Sequence, residues 1–179
     1  QSAVHNAAKF GVTDKINFYL SDGARNIPRD FDCMVCAGMG GDTMISILAA
    51  APWLKNGYYR LILQCQSKTP MLRKHLDEQG WHIKQETVVR DGRFLYTVME
   101  ATYQPRLPRL NTAEYHFPSS LLIGAAPENG EYYRQVLTRL RRKVTGRGEN
   151  ADTETIQTLQ ALEQLAEAPE LCWLKEENQ

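Results

Sequence analysis

Apolar and polar positions divide the chain into two parts of different rhythm. Ala3, Val4, Ala7, Ala8 and Phe10 recur at helical spacing and Gly11 follows, so the pattern predicts a helix over 2–10 closed by a glycine. Residues 15–20 alternate like a strand and run into Ser21-Asp22-Gly23-Ala24. After Pro28 comes a short apolar run, 31–37, that ends in Gly38-Met39-Gly40-Gly41. It passes at once into a helical pattern over 43–51, with Asp42 placed to cap it. A second apolar run, 60–66, turns polar at Gln64 and Gln66, as a buried parallel strand does where it meets a site. Pro70 opens an amphipathic helix over 71–79 that Gly80 ends. Two strand patterns, 82–89 and 94–100, then flank Arg90-Asp91-Gly92-Arg93, a strong hairpin signal.

Beyond residue 103 the composition changes. Pro105, Pro108 and Pro118 punctuate a polar linker, after which Tyr133, Val136, Leu137, Leu140 and Val144 fall on one helical face. Ile156, Leu159, Leu162 and Leu165 do the same on a second helix, whose start Asp152 can cap. Gly146-Arg147-Gly148 separates the two, which predicts an antiparallel helix hairpin. The expected fold is α/β: a doubly wound sheet over 1–103, then a helical, coiled-coil-like C-terminal domain over 104–179.

Composition narrows the class of function. A length of 179 residues with 42% hydrophobic content supports a buried core. Zero formal charge and a pI of about 7.1 exclude a wholesale electrostatic grip on nucleic acid and leave the question to local clusters. Arg134, Arg139, Arg141, Arg142, Lys143 and Arg147 form one such cluster on the first C-terminal helix and its turn. A solvated face and an RNA phosphate contact both account for it. Cys33-x-x-Cys36 has the spacing of a redox or zinc site, but it falls inside a strand, with its thiols on opposite faces. Cys65 and Cys172 complete no metal set, so buried structural thiols and no metal are expected. With no run of about eighteen apolar residues and no signal pattern, a cytoplasmic chain without membrane contact is expected. The chain opens on Gln1 inside a helical pattern, which leads us to expect further sequence upstream.

The centre of the pattern is the stretch from Phe31 to Gly41. Three glycines in four residues at the carboxyl end of a strand leave the backbone unshielded, so its N–H groups and the dipole of the next helix can reach a ligand. Open parallel sheets hold their ligands at that edge.

Four pieces recur together: Ser21-Asp22-Gly23-Ala24, Cys36-Ala37-Gly38-Met39-Gly40-Gly41, Leu61-Ile62-Leu63-Gln64 and Asp91-Gly92-Arg93-Phe94-Leu95-Tyr96. In this order and spacing they resemble the bacterial TrmK family of S-adenosylmethionine-dependent methyltransferases, which modify N1 of the adenine at tRNA position twenty-two. The resemblance covers residues 1–103, and the helical tail in pattern only. It implies a Rossmann-like class I methyltransferase sheet, S-adenosyl-L-methionine as cofactor and tRNA as partner. Asp22 and Gly23 then match the turn against the cofactor's adenine, and Ala37, Gly38, Met39 and Gly41 the region of its sulfonium end. Gly38, Met39, Gly40, Gln64 and Tyr96 match the acceptor side. Tyr96 either stacks on the base or packs as an ordinary strand residue. Arg139, Arg141, Arg142, Lys143 and Arg147 become candidate tRNA contacts. Two departures stand out: Cys65 occupies the place of a usual proline after Leu-Gln, and the family's first two strands, with the glycine-rich cofactor loop, are expected upstream of Gln1.

Methyl transfer to a ring nitrogen is an in-line displacement in which the protein aligns nucleophile, methyl and leaving sulfur. N1 lies on the Watson–Crick edge, so the base must first be exposed. A turn without side chains offers room for a flipped base, and the Gln64 amide can donate to or accept from its edge. The Asn/Asp-Pro-Pro-aromatic motif of N6-adenine enzymes is missing from the turn, which favours a ring nitrogen target. Two other readings stand beside this one: a non-catalytic remnant that binds RNA or protein, and a methyltransferase with a different acceptor.

Overall fold

The computed structural model describes residues 2–107, 109–120, 122, 126–148, 151–167, 171 and 174. Strands β1 (Cys33–Gly40), β2 (Arg60–Ser67), β3 (Trp81–Asp91) and β4 (Phe94–Tyr103) form one sheet in the order β1-β2-β4-β3. β1 and β2 are parallel, and the predicted hairpin folds back so that β4 inserts antiparallel between β2 and β3. Gly92, at a φ of 56°, makes the two-residue turn possible. Helices α1 (Ser2–Lys9), α2 (Gly41–Ala49), α3 (Thr69–Glu78), α4 (Thr112–His116), α5 (Pro127–Arg147) and α6 (Thr153–Leu165) complete the fold.

The strand period decides where the core lies. Leu61, Leu63, Met99 and Ala101 point to one face and are fully buried against Met44 and Leu48 of α2 and Leu72 and Leu76 of α3. The opposite face carries Ile62, Gln64 and Glu100, and its Val35 on β1 is 66% exposed. Residues 15–20 differ from expectation. A 3-10 turn at Thr13–Lys15 precedes them, and no strand forms there. Alternation is necessary for a strand but not sufficient, since its N–H and C=O groups need a neighbour, and none of the described strands pairs with this segment.

A second core joins the β3–β4 hairpin to the C-terminal helices. Val88 packs with Phe117, Tyr133, Val136, Leu137, Leu140 and Leu162, and Leu95 borders the cluster. The predicted helix hairpin forms as read: the Tyr133 hydroxyl donates to the Leu162 carbonyl at 2.7 Å, and Arg141 pairs with Glu163 at 2.7 Å. The Asp152 carboxylate caps α6 by accepting from the Thr155 N–H at 2.8 Å.

Between the two cores lies a buried ion pair. Arg73 of α3 and Glu86 of β3 have 0% exposed side chains and meet through two bonds, Nε to Oε2 at 3.0 Å and Nη2 to Oε1 at 2.5 Å. The guanidinium also donates to the Tyr115 carbonyl at 2.6 Å, the His116 carbonyl at 3.3 Å and the Tyr132 hydroxyl at 3.2 Å. Burial works against the Arg73 charge, but Glu86 and Tyr132 outweigh it and hold the group protonated. The Tyr115 hydroxyl donates to Asp77 at 2.7 Å, and burial together with that bond pushes its pKa up to about 12. One guanidinium therefore ties α3, β3, α4 and α5 together. Arg73→Met, which strands the Glu86 charge, is expected to cost about 3–5 kcal/mol by urea denaturation, and Arg73→Met/Glu86→Leu to recover most of it.

Candidate active site at the bulged end of β1

The expected glycine turn is the bulged end of a strand. β1 runs through Gly40, with Ala37 opposite Gln64, Met39 opposite Cys65 and Gly40 opposite Ser67, so Gly38 on one strand and Gln66 on the other drop out of the ladder. Gly38 takes a left-handed φ of 76°, and a Cβ there would meet nothing nearer than Gln66 Nε2 at 3.9 Å. Conformation requires glycine here, not crowding. The Gly38 N–H donates to Gln64 Oε1 at 2.8 Å. An N–H can only donate, so one lone pair of the Gln64 amide oxygen is taken by Gly38; the second lone pair and the NH2 of the same amide keep their hydrogen-bonding capacity.

Gly40 and Gly41 are glycine for a different reason. A Cβ on Gly40 would lie 2.9 Å from Ser67 Oγ, and one on Gly41 3.0 Å from the Lys68 carbonyl oxygen. These two positions let the end of β2 press against the end of β1; the room expected there for a base is filled by Ser67 and Lys68. Asp42 departs from expectation as well. Gly40 is the N-cap of α2 and makes no side-chain cap bond, while Asp42 sits in the first helical turn and ion-pairs with Lys68 Nζ. Lys68 is the sole non-glycine residue with positive φ among those described, at 59°. Sequence reasoning passed over Ser67 and Lys68; the run Gln66-Ser67-Lys68 before Pro70 carried no pattern that marks them.

The other predicted site residues approach this edge from two sides. Gly23 has a φ of 58°, and a Cβ there would lie 2.9 Å from Ile47 Cγ1, so the Asp22-Gly23 turn is pressed onto α2. Asp22, its side chain 82% exposed, contacts Arg25 Nη1 at 3.4 Å. Thr97 of β4 pairs with Cys65, which puts Tyr96 at the same end of the sheet. It shares a face with Gln64, since Gln64 pairs with Val98 two residues on. Its ring lies 6.2 Å from that of Phe94. Of the thiols, Cys36 is buried, which pushes its pKa up, and Cys33 lies on the opposite face. The Cys65 thiol donates to the Ser67 carbonyl at 2.9 Å. Cys172 lies outside the described residues.

The cations of α5 are not equivalent. Arg141 is paired with Glu163, and Lys143 Nζ donates to Thr155 Oγ1 at 3.1 Å. Arg139 and Arg142 line, with Arg134, an open groove of about 560 Å³ along the helix. The side chain of Arg147 lies outside the described residues.

A parallel pair bulged at its carboxyl end, followed by an antiparallel hairpin whose last strand inserts next to it, is an open α/β sheet of the kind that carries ligands at its carboxyl edge. Residues 1–99 match the family described as Methyltransferase domain, and the chain belongs to that family. A curated relative, the Mycoplasma genitalium protein named "Putative tRNA methyltransferase MG248", is 34% identical over 97 residues, 52% of this chain and 43% of that protein. The chain thus spans less than half of that relative's length. Streptococcus pneumoniae Sp1610, solved in complex with S-adenosyl-L-methionine, superposes with a TM-score of 0.74 at 21% identity, covering 92% of this chain and 75% of that one. The B. subtilis M1A22 tRNA methyltransferase TrmK superposes with a TM-score of 0.62 at 22% identity over 97% of this chain and 75% of its own. At such identity these likenesses establish the fold.

The two kinds of glycine are separable by experiment. Gly38→Ala is expected to lower stability by about 1–2 kcal/mol through its backbone angle, and Gly38→Asn by less, because asparagine tolerates the left-handed region. Gly41→Ala is expected to cost about 1–3 kcal/mol through overpacking, with Gly41→Asn no better. Thermal denaturation of the four variants reads the difference.

Proposed function

We propose that this chain forms part of an S-adenosylmethionine-dependent tRNA methyltransferase that modifies N1 of the adenine at position twenty-two. The observation that carries this reading is the reach of the fold likeness. A methyltransferase sheet alone would fit many acceptors, but the superposition on TrmK continues through the helix hairpin, over 97% of the chain. The four motif pieces and the likeness to a chain solved with the cofactor support the same reading.

The residues present fit that cofactor. Gly38 leaves open space that a side chain would fill, and the Asp22 carboxylate is exposed and able to accept from an adenine amine. When bound, S-adenosylmethionine supplies the activated methyl group. Gln64, fixed by Gly38, presents its NH2 to a ring-nitrogen acceptor of the substrate base and so orients it, and the free lone pair of its amide oxygen can accept from the exocyclic amine. Asp42 offers a carboxylate at the mouth of the bulge, where N1 methylation leaves a positive ring. Lys68 holds that carboxylate in place before substrate arrives. Ala37 and Tyr96 share the Gln64 face of this edge, while Met39, expected with them, packs against the sheet core; Arg139, Arg142 and Lys143 meet the tRNA backbone.

Mass spectrometry of tRNA nucleosides from a strain lacking the gene tests the reading. Loss of 1-methyladenosine, with primer extension no longer stopping at position twenty-two, is expected. Unchanged 1-methyladenosine would overturn it. Gln64→Glu keeps an acceptor for the Gly38 N–H but removes the donor; it is expected to lower kcat/KM for tRNA about tenfold or more with cofactor affinity preserved.

A further inference from the structure

A small cavity of about 130 Å³ lies between the first turn of α3, at Pro70, and α5. That is the share of liquid volume of roughly four waters, enough for one phosphate group. Val136 and Leu140 give it apolar lining, and His116, Arg139, Lys143 and Tyr132 complete its wall; the Tyr132 hydroxyl is engaged by Arg73. No carboxylate lines it. Among the described residues neither the His116 imidazole nor the Arg139 guanidinium has a hydrogen-bond partner, and the amine of Lys143 is held in place by Thr155. Three basic side chains thus border one space whose lining holds no carboxylate.

The position of this space gives it meaning. Pro70 follows Ser67 and Lys68, the residues packed against Gly40 and Gly41, so the cavity sits one helical turn from the bulged end of β1. On its other side, Arg139 also lines the open groove along α5. The cavity therefore lies between the start of α3, which follows the residues packed on Gly40 and Gly41, and the basic helix.

We propose that this cavity is a subsite for one phosphodiester of the RNA substrate, held by His116, Arg139 and Lys143. The inference rests on the tRNA reading above and adds His116, a residue to which that reading gives no part. Protonation of His116 is the variable element. Its pKa is lowered by burial first, then by Arg73 from α3 and by Lys143 and Arg139 from α5, with Glu154 of α6 acting weakly the other way. In the free protein the imidazole is neutral near pH 7. A phosphate dianion or diester placed among these cations reverses the local field and raises the pKa, so binding takes up a proton. By linkage, RNA affinity then increases as pH falls from 7.5 toward 6, by at most about tenfold per pH unit.

The test uses the whole chain and two probes, a labelled tRNA stem-loop and inorganic phosphate. NMR titration of the His116 imidazole and fluorescence anisotropy across pH and salt are the readouts. RNA is expected to raise the His116 midpoint. His116→Gln, which keeps a neutral side chain, is expected to fold normally and abolish the pH dependence of RNA affinity. Arg139→Gln is expected to reduce the slope of log affinity against log salt by about 0.7–0.9, one phosphate contact. If RNA binds but leaves His116 unmoved and its affinity is flat with pH, the tRNA reading stands and the subsite falls. Should inorganic phosphate shift His116 while bound RNA does not, the cavity is a free-anion site and the proposal likewise falls. Failure of RNA to bind at all overturns both.

Discussion

The arrangement depends on one buried charge. Arg73 sits at 0% exposure between the sheet core and the helical core, and each element it touches would face an unpaired polar group without it. Glu86 neutralises it, two carbonyls of the short helix α4 cap it, and Tyr132 of α5 closes the ring. A hydrophobic contact at this junction would tolerate sliding; a bidentate pair with fixed directions does not. The helix hairpin is thereby held in one orientation relative to the carboxyl edge of β1 and β2. Position along α3 follows too, since Arg73 lies one turn past Pro70 and the residues that pack on Gly40 and Gly41.

At that carboxyl edge the three glycines divide the labour. Gly38 supplies a backbone angle and orients its N–H toward Gln64; Gly40 and Gly41 supply close approach to Ser67 and Lys68. The polar chemistry of this edge is set in part by a hydrogen bond internal to the protein. Gln64 gives one lone pair of its amide oxygen to Gly38, and Lys68 holds the Asp42 carboxylate.

Much of this was legible in the sequence. The α/β class, the hairpin at Gly92, the helix hairpin and the Asp152 cap follow from periodicity and local chemistry, the Rossmann-like sheet from the family resemblance, and all are found. What failed was whatever depended on distant neighbours. Residues 15–20 have a strand's alternation but no strand beside them, and Asp42 has a cap's identity but is drawn into an ion pair with a lysine twenty-six residues away. The same holds for the glycines, where the sequence announces freedom and cannot say whether it serves angle or contact. Arg141 reads as a cation ready for RNA until α6 brings Glu163 against it. His116 carried no signal, because its surroundings come from α3, α5 and α6 at once.

The basic helix also shapes how the molecule behaves at a distance. α5 holds six cations and two carboxylates, and because the whole chain is formally neutral, the remainder carries a matching net negative charge. Neutrality therefore conceals a local excess of positive charge on α5, part of which Glu163 of α6 offsets at Arg141. A polyanion approaching such a dipole experiences a torque before it makes any contact, which turns the positive helix toward it and the acidic remainder away. Net attraction would hasten encounters in any orientation; a dipole instead raises the fraction of encounters that are productive, and this orientational gain fades as salt shortens the screening length.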